Sequence, residues 1–261
     1  MSDAKNVLSF RASDGNTVKM EYHDSLPSAS QIAKGYAQAG YPDRYVVFTE
    51  RQTATTACGA ALSDGEYEKG IYLSCILRPS IFPSQVGAVG PLSALSLASS
   101  LEEHSDNKIG IGWVSDVYCN GEKIGCSTVE GKLNDFNSYE YLILNFSAKL
   151  ESKSFPPRLT DMVRQVFEEQ NFSVPMIMAK TLLNKFFAMY KDLKTPDKHL
   201  NSYLEKFILQ DKKVKYFDNG KKKTGRISGI DKESLALLID TKDGRKISIS
   251  SPSSVIIPNK I

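Results

Sequence analysis

The last fifty residues constrain the fold more than any other stretch. From residue 212 the chain breaks into short β-prone runs at 214–217, 224–230, 235–239, 246–249 and 255–257. Asp218-Asn219-Gly220, Asp231-Lys232-Glu233-Ser234 and Lys242-Asp243-Gly244-Arg245 separate the first four. Asn-Gly and Asp-Gly steps suit tight hairpins, so neighbouring runs are expected to pair antiparallel. Five strands at this spacing predict a small β-barrel. The basic run 212–223, six lysines among twelve residues, reads as its solvated face.

Upstream the texture differs. Residues 7–10 and 18–22 alternate around Asp14-Gly15, which predicts a hairpin. A helix is expected over 30–38, strands over 45–48 and 71–79, a helix over 92–103 and a strand over 139–146. Pro156-Pro157 marks a break, after which helices are expected over 160–170, 174–190 and 200–209. Residues 50–70 are small and polar, the length of a functional or unstructured loop. The expected fold class is therefore α+β, with a mixed β-sheet and helices over 1–210 and the barrel over 211–261. The 261 residues suffice for a large and a small unit.

Net charge is only +3, too weak to imply a nucleic-acid partner. No apolar run reaches the ~18–20 residues of a membrane span, and residues 1–10 lack a signal-peptide layout. A cytoplasmic protein with neither partner is expected. Cys58, Cys75, Cys119 and Cys126 form no Cys-x-x-Cys pair and show no ligand spacing to His23, His104 or His199. Reduced, mostly buried thiols and no metal site are expected.

The functional signal centres on residues 108–130. An apolar strand leads to the single tryptophan, Trp113, a polar turn follows at Ser115-Asp116, and a second strand covers 123–130. Here the chain resembles the biotin protein ligases, in the form without an N-terminal DNA-binding domain. The family's Lys-Trp-Pro-Asn-Asp corresponds to Gly112-Trp113-Val114-Ser115-Asp116, and its Lys-x-x-Gly and strand Glu to Lys123, Gly125 and Glu130. Ser28-Ala29-Ser30 takes the place of its Ser-Thr-Asn; Gln52 and Ile71-Tyr72-Leu73-Ser74 match the residues flanking its Arg-rich loop. Gly229-Ile230-Asp231 and Asp243-Gly244 match its C-terminal unit. The resemblance covers nearly the whole chain. It implies a class II synthetase-like biotin/lipoate ligase catalytic domain followed by an SH3-like barrel.

The family joins biotin to AMP with ATP, then acylates a lysine of an acceptor protein. Bringing a carboxylate to a polyphosphate needs fixed positive charge aimed at the reacting oxygens. The family supplies it from the loop arginines and the lysine before Trp. Here residues 53–63 contain no arginine or lysine, the family's loop Trp is Ser63, and the lysine position is Gly112. Losing one such donor typically costs about 2.7–4 kcal/mol of transition-state stabilisation. Lys149 is the substitute candidate, with Arg51 and Lys69 flanking the loop. The family's Gly-x-Gly-x-Asn on the central strand aligns with Asn145, Ser147 and Lys149, whose side chains would intrude on a biotin ring.

The resemblance thus assigns ligand contacts to Ser28, Ala29, Ser30, Gln52, Thr56, Cys58, Tyr72, Trp113, Asp116, Gly125, Asn145 and Ser147, and leaves the catalytic position vacant at Gly112. Trp113 and Asp116 read equally as a core residue and its turn cap. Three functional readings stay open. The chain is a degenerate ligase homologue that binds another small molecule or a protein partner in the former pocket; biotin and ATP then play no part. It is a divergent, active ligase that uses both and acts on an acceptor protein. Or it is an interaction module forming a homodimer.

Overall fold

In a computed structural model of the chain, the described residues are 6–54, 70–103, 107–149, 174–195 and 197–261. The helix expected over 160–170, the Pro156-Pro157 break and most of the 50–70 loop lie outside them.

The first sheet has eight strands. β1 (Asn6–Arg11) and β2 (Thr17–His23) form the expected hairpin, β3 (Tyr45–Thr49) lies parallel to β2, and β4 (Gly70–Leu77) is antiparallel to β3. β5 (Ile109–Ile111), β6 (Asp116–Cys119), β7 (Glu122–Leu133) and β8 (Tyr139–Lys149) complete it in the order β1-β2-β3-β4-β8-β7-β6-β5. The one parallel pair makes the sheet mixed, as the fold class requires. β4 and β8 are central and largely apolar, as strands covered on both faces must be.

Residues 108–114 were expected as one strand entering a turn. Instead the strand stops at Ile111, residues 112–115 make a loop, and the chain re-enters the sheet as β6. Gly112 N–H donates to Asp116 O at 2.8 Å and closes that loop. Two apolar ends joined by a tight polar turn look like one strand in sequence, because the turn residues preserve the hydrophobic run.

Two layers cover the sheet. On one face lie α2 (Val89–Glu102), α3 (Val174–Tyr190) and α4 (Asp197–Glu205). Leucines and small residues bury α2 almost all round, not on one stripe. Its serines tolerate this because Ser93, Ser96 and Ser100 Oγ donate to the carbonyls of Gly90, Ser93 and Leu97. On the other face α1 (Ala29–Gln38) packs Ala29, Ala33 and Ala37 against Val47, Ile76 and Ile143. The short alanine face lets α1 lie close to the strands. Arg78 fixes its far end, with Nε, Nη1 and Nη2 donating to the carbonyls of Tyr41, Glu140 and Ala37.

The second sheet has five antiparallel strands: β9 (Lys213–Asp218), β10 (Lys221–Ile230), β11 (Leu237–Thr241), β12 (Lys246–Ile249) and β13 (Val255–Ile256), in the order β12-β11-β10-β9-β13. Its buried side joins Trp113 and Leu209 in one apolar cluster. Cys75 and Cys119 are free and buried. Cys126 is disulfide-bonded, which departs from the expectation of reduced thiols throughout. Among the described residues no helix is long and apolar enough to cross a membrane.

Candidate functional site

The side chains of β4, β8 and β7 alternate between the two faces of the sheet. Register places Ser74 beside Asn145, and Asn145 beside Thr128, all on the α1 face. Ser74 Oγ donates to Asn145 Oδ1 at 2.7 Å, and Asn145 Nδ2 donates to Thr128 Oγ1 at 3.3 Å. This polar chain floors a cavity of about 300 Å3 between the start of α1 and the sheet. Tyr72 and Ser147 continue the floor.

The wall comes from the N-terminal turn of α1. Ser28 is its N-cap, accepting from Gln31 N–H at 3.3 Å. Gln52 Oε1 accepts from Ala29 N–H at 3.1 Å, satisfying a second orphan donor of the helix start. Both Gln52 and Ser28 line the cavity, but each has spent an oxygen on backbone. Ser30 and Lys34 sit at i, i+4 on one side of α1 and reach across to β7. Ser30 Oγ donates to Glu130 Oε1 at 2.8 Å, and Lys34 Nζ pairs with Glu130 Oε2 at 3.1 Å. Burial works to raise the Glu130 carboxyl, yet the bonds from Ser30, Lys34 and Asn145 outweigh it and hold it below its ordinary value. Among the described lining residues Lys34 and Glu130 are the only charged ones. They neutralise each other, and hydroxyls and amides dominate the rest.

Of the positions assigned from sequence, Ser28, Ser30, Gln52, Tyr72, Asn145 and Ser147 meet in this cavity. Thr56 and Cys58 fall outside the described residues. Ala29 turns into the apolar cluster beneath α1. Gly125 lies close against the next strand: a Cβ there would come within 2.6 Å of Ser147 O. Lys149 ends β8 opposite Gly70 and does not line the cavity.

Trp113 and Asp116 border a separate groove of about 770 Å3 between β6–β7 and the second sheet, which adjoins the cavity at Thr128. Trp113 is 3% exposed, and its Nε1 donates to Leu235 O at 2.8 Å. Asp116 Oδ1 pairs with Lys123 Nζ at 2.7 Å. Burial raises the Asp116 carboxyl, and Lys123 only partly offsets it.

The space at Gly112 is filled. A Cβ there would meet Tyr118 Cε2 at 2.8 Å. That ring is buried, and its OH donates to Pro258 O at 2.9 Å. Lys34, Gln31 and Thr128 were missed in the sequence. The i, i+4 spacing of Ser30 with Lys34 and the i, i+2 spacing of Thr128 with Glu130 could have found two of them. Among the described residues no group of three or more His, Cys, Asp or Glu is placed to hold a metal ion.

No protein-family model matches the chain. It is 25% identical over 142 residues to the bifunctional ligase/repressor BirA of Bacillus subtilis strain 168, covering 54% of this chain and 44% of that one. The BirA of Bacillus spizizenii is 23% identical over 176 residues, covering 67% and 54%. The chain thus spans about half the length of the curated relatives it matches. Among solved structures, apo biotin protein ligase from Aquifex aeolicus superposes with a TM-score of 0.65 at 18% identity, over 91% of this chain and 97% of that one. A biotin protein ligase-like protein of unknown function from Silicibacter sp. TM1040 gives 0.60 at 11%, over 89% and 94%. These likenesses agree with the mixed sheet and its helices.

Proposed function

We propose that this chain is a biotin protein ligase homologue that has lost biotin adenylation and uses the α1–β4–β8–β7 cavity to hold a different, polar and uncharged small molecule. The observation that carries the reading is the fate of the charges. Joining a carboxylate to a nucleotide phosphate needs uncompensated cations at the reacting oxygens. Among the described residues the cavity's one cation, Lys34, is already paired with Glu130, the lysine position is a glycine backed by Tyr118, and residues 53–63 carry no basic side chain. The Asn145 and Ser147 side chains present hydrogen-bonding groups where a bicyclic, largely apolar ring would need bare backbone. Residues 1–210 would form the ligand-binding unit and 211–261 an SH3-like barrel closing against Trp113.

The Aquifex ligase has been solved with biotin and ATP at a TM-score of 0.62 to this chain. That likeness keeps a divergent active ligase as the reading to beat. Differential scanning fluorimetry with biotin, lipoate, ATP and biotinyl-AMP separates the two, because a ligand held by the native state raises the melting temperature by mass action. No shift is expected with any of them. A shift with biotinyl-AMP, together with label transferred to a biotin-acceptor domain, would sink the proposal.

A further inference from the structure

The second sheet carries a charge pattern that the cavity does not use. Residues 211–261 hold twelve Lys and Arg against six Asp and Glu, although the whole chain is only +3. The excess is not spread evenly. In β9, Val214 and Tyr216 point into the apolar cluster, so Lys213, Lys215 and Phe217 alternate onto the solvent side. Register sets Arg226 opposite Lys213, Thr224 opposite Lys215 and Lys222 opposite Phe217, with Ile256 on the far side of Lys215. Phe217 and Ile256 are each 42% exposed.

The ion pair of this hairpin, Lys223 with Asp218 at 2.6 Å, sits at its turn. Among the described residues no carboxylate lies within ion-pair distance of Lys213, Lys215 or Lys222. Arg226 Nη1 is held by the carbonyl of Asp211 at 2.9 Å. Like charges placed directly opposite destabilise a sheet, but Asp240 flanks Arg226 from β11. The charges an anion laid over this face would offset are therefore those of Lys213, Lys215 and Lys222.

We propose that the solvent face of the β9–β10 hairpin docks an extended acidic segment of a partner protein. Its alternate residues would be Asp or Glu, followed in the same alternation by an apolar residue. Alternate side chains of an extended segment stand about 6.6 Å apart, the same period as Lys213 and Lys215. Two carboxylates would thus face these lysines while the apolar side chain covers Phe217. A single-stranded nucleic acid fits less well. It calls for successive aromatic rings to stack successive bases, whereas Phe217 stands alone on this hairpin face and Tyr216 turns inward. This inference stands apart from the function proposed for the cavity.

The test uses the full chain and a fluorescein-labelled peptide, Gly-Glu-Thr-Glu-Thr-Leu-Gly, in fluorescence anisotropy at low salt, where screening is weak. Binding is expected, weakened more than about tenfold by Lys213→Glu/Lys215→Glu. Phe217→Ser should weaken this peptide but not one with Ser in place of its Leu. Should the reversed variant not fold by circular dichroism, Lys213→Gln/Lys215→Gln carries the same comparison. No binding at about millimolar peptide, binding unchanged in the lysine variants, or tighter binding of an oligothymidylate would each overturn the proposal.

Discussion

A lysine grown at Gly112 would drive its Cβ to 2.8 Å from Tyr118 Cε2, so the missing charge cannot be restored by one substitution. Gly112→Lys is expected to lower stability by about 1–3 kcal/mol, the usual cost of overpacking, and, on the function proposed above, to give no biotin transfer. Urea denaturation and an acceptor-labelling assay read the two outcomes. Asp116 gives a second test at this scale. Its carboxyl is raised by burial, with Lys123 offsetting only part, so its folded-state value lies above its unfolded one. Ionising it therefore costs more in the folded chain, and its contribution to stability falls as pH rises through that folded value. The stability of the native chain relative to Asp116→Asn is expected to be greater near pH 4 than near pH 7, measured by denaturation of both at each pH.

At the scale of elements, the β1–β2 turn is tied to the helical layer by one buried pair. Arg44 Nη1 and Nη2 donate to the two oxygens of Asp14 at 3.1 and 2.6 Å, and the guanidinium lies 4.1 Å from the centroid of the Phe187 ring on α3. Among the described residues Asp14→Ala leaves Arg44 with only Asp43, 3.3 Å from its Nε, and is expected to cost about 1–3 kcal/mol. Burial pushes the Asp14 carboxyl up, but Arg44 and Asn16 outweigh it and hold it low. The stability it adds is therefore present above the ordinary carboxylate range and lost as pH falls through its folded value; Asp14→Ala should show a flatter acid limb.

The elements themselves were largely legible. Hairpin spacing found the second sheet, because Asp218-Asn219-Gly220 and Asp243-Gly244 fix turns locally. Positive φ at Asn219, Gly220 and Gly244 is the form those turns take. The cavity floor at Tyr72, Asn145 and Ser147 was legible through the resemblance to the ligase family, which aligns those positions with its pocket. What escaped is non-local. The loop splitting β5 from β6 hides inside an apolar run, and although Trp113 read as a core residue, the sheet whose cluster it joins begins a hundred residues later. A glycine demanded by a neighbouring strand, as Gly125 is by β8, is identical in sequence to one demanded by a ligand.

Across the whole molecule, Trp113 is one of several ties between the first sheet and the C-terminal part, beside Tyr118 OH to Pro258 O and the backbone bonds Lys123 N–H to Asn259 O and Ile261 N–H to Gly121 O. Trp113 leaves the first sheet's loop, enters the second sheet's apolar cluster and donates to Leu235 O there, while Tyr203 OH holds the adjacent Val114 carbonyl at 2.8 Å. Because it is the chain's single tryptophan, it is also a built-in optical probe of that junction. Excited at the red edge, where tyrosine does not absorb, its emission should be blue-shifted in the native chain and move to the red when the second sheet lifts away. Followed alongside far-ultraviolet circular dichroism in a urea titration, coincident midpoints would make the two sheets one cooperative unit, and an earlier fluorescence midpoint would time the release of the small sheet from the large one.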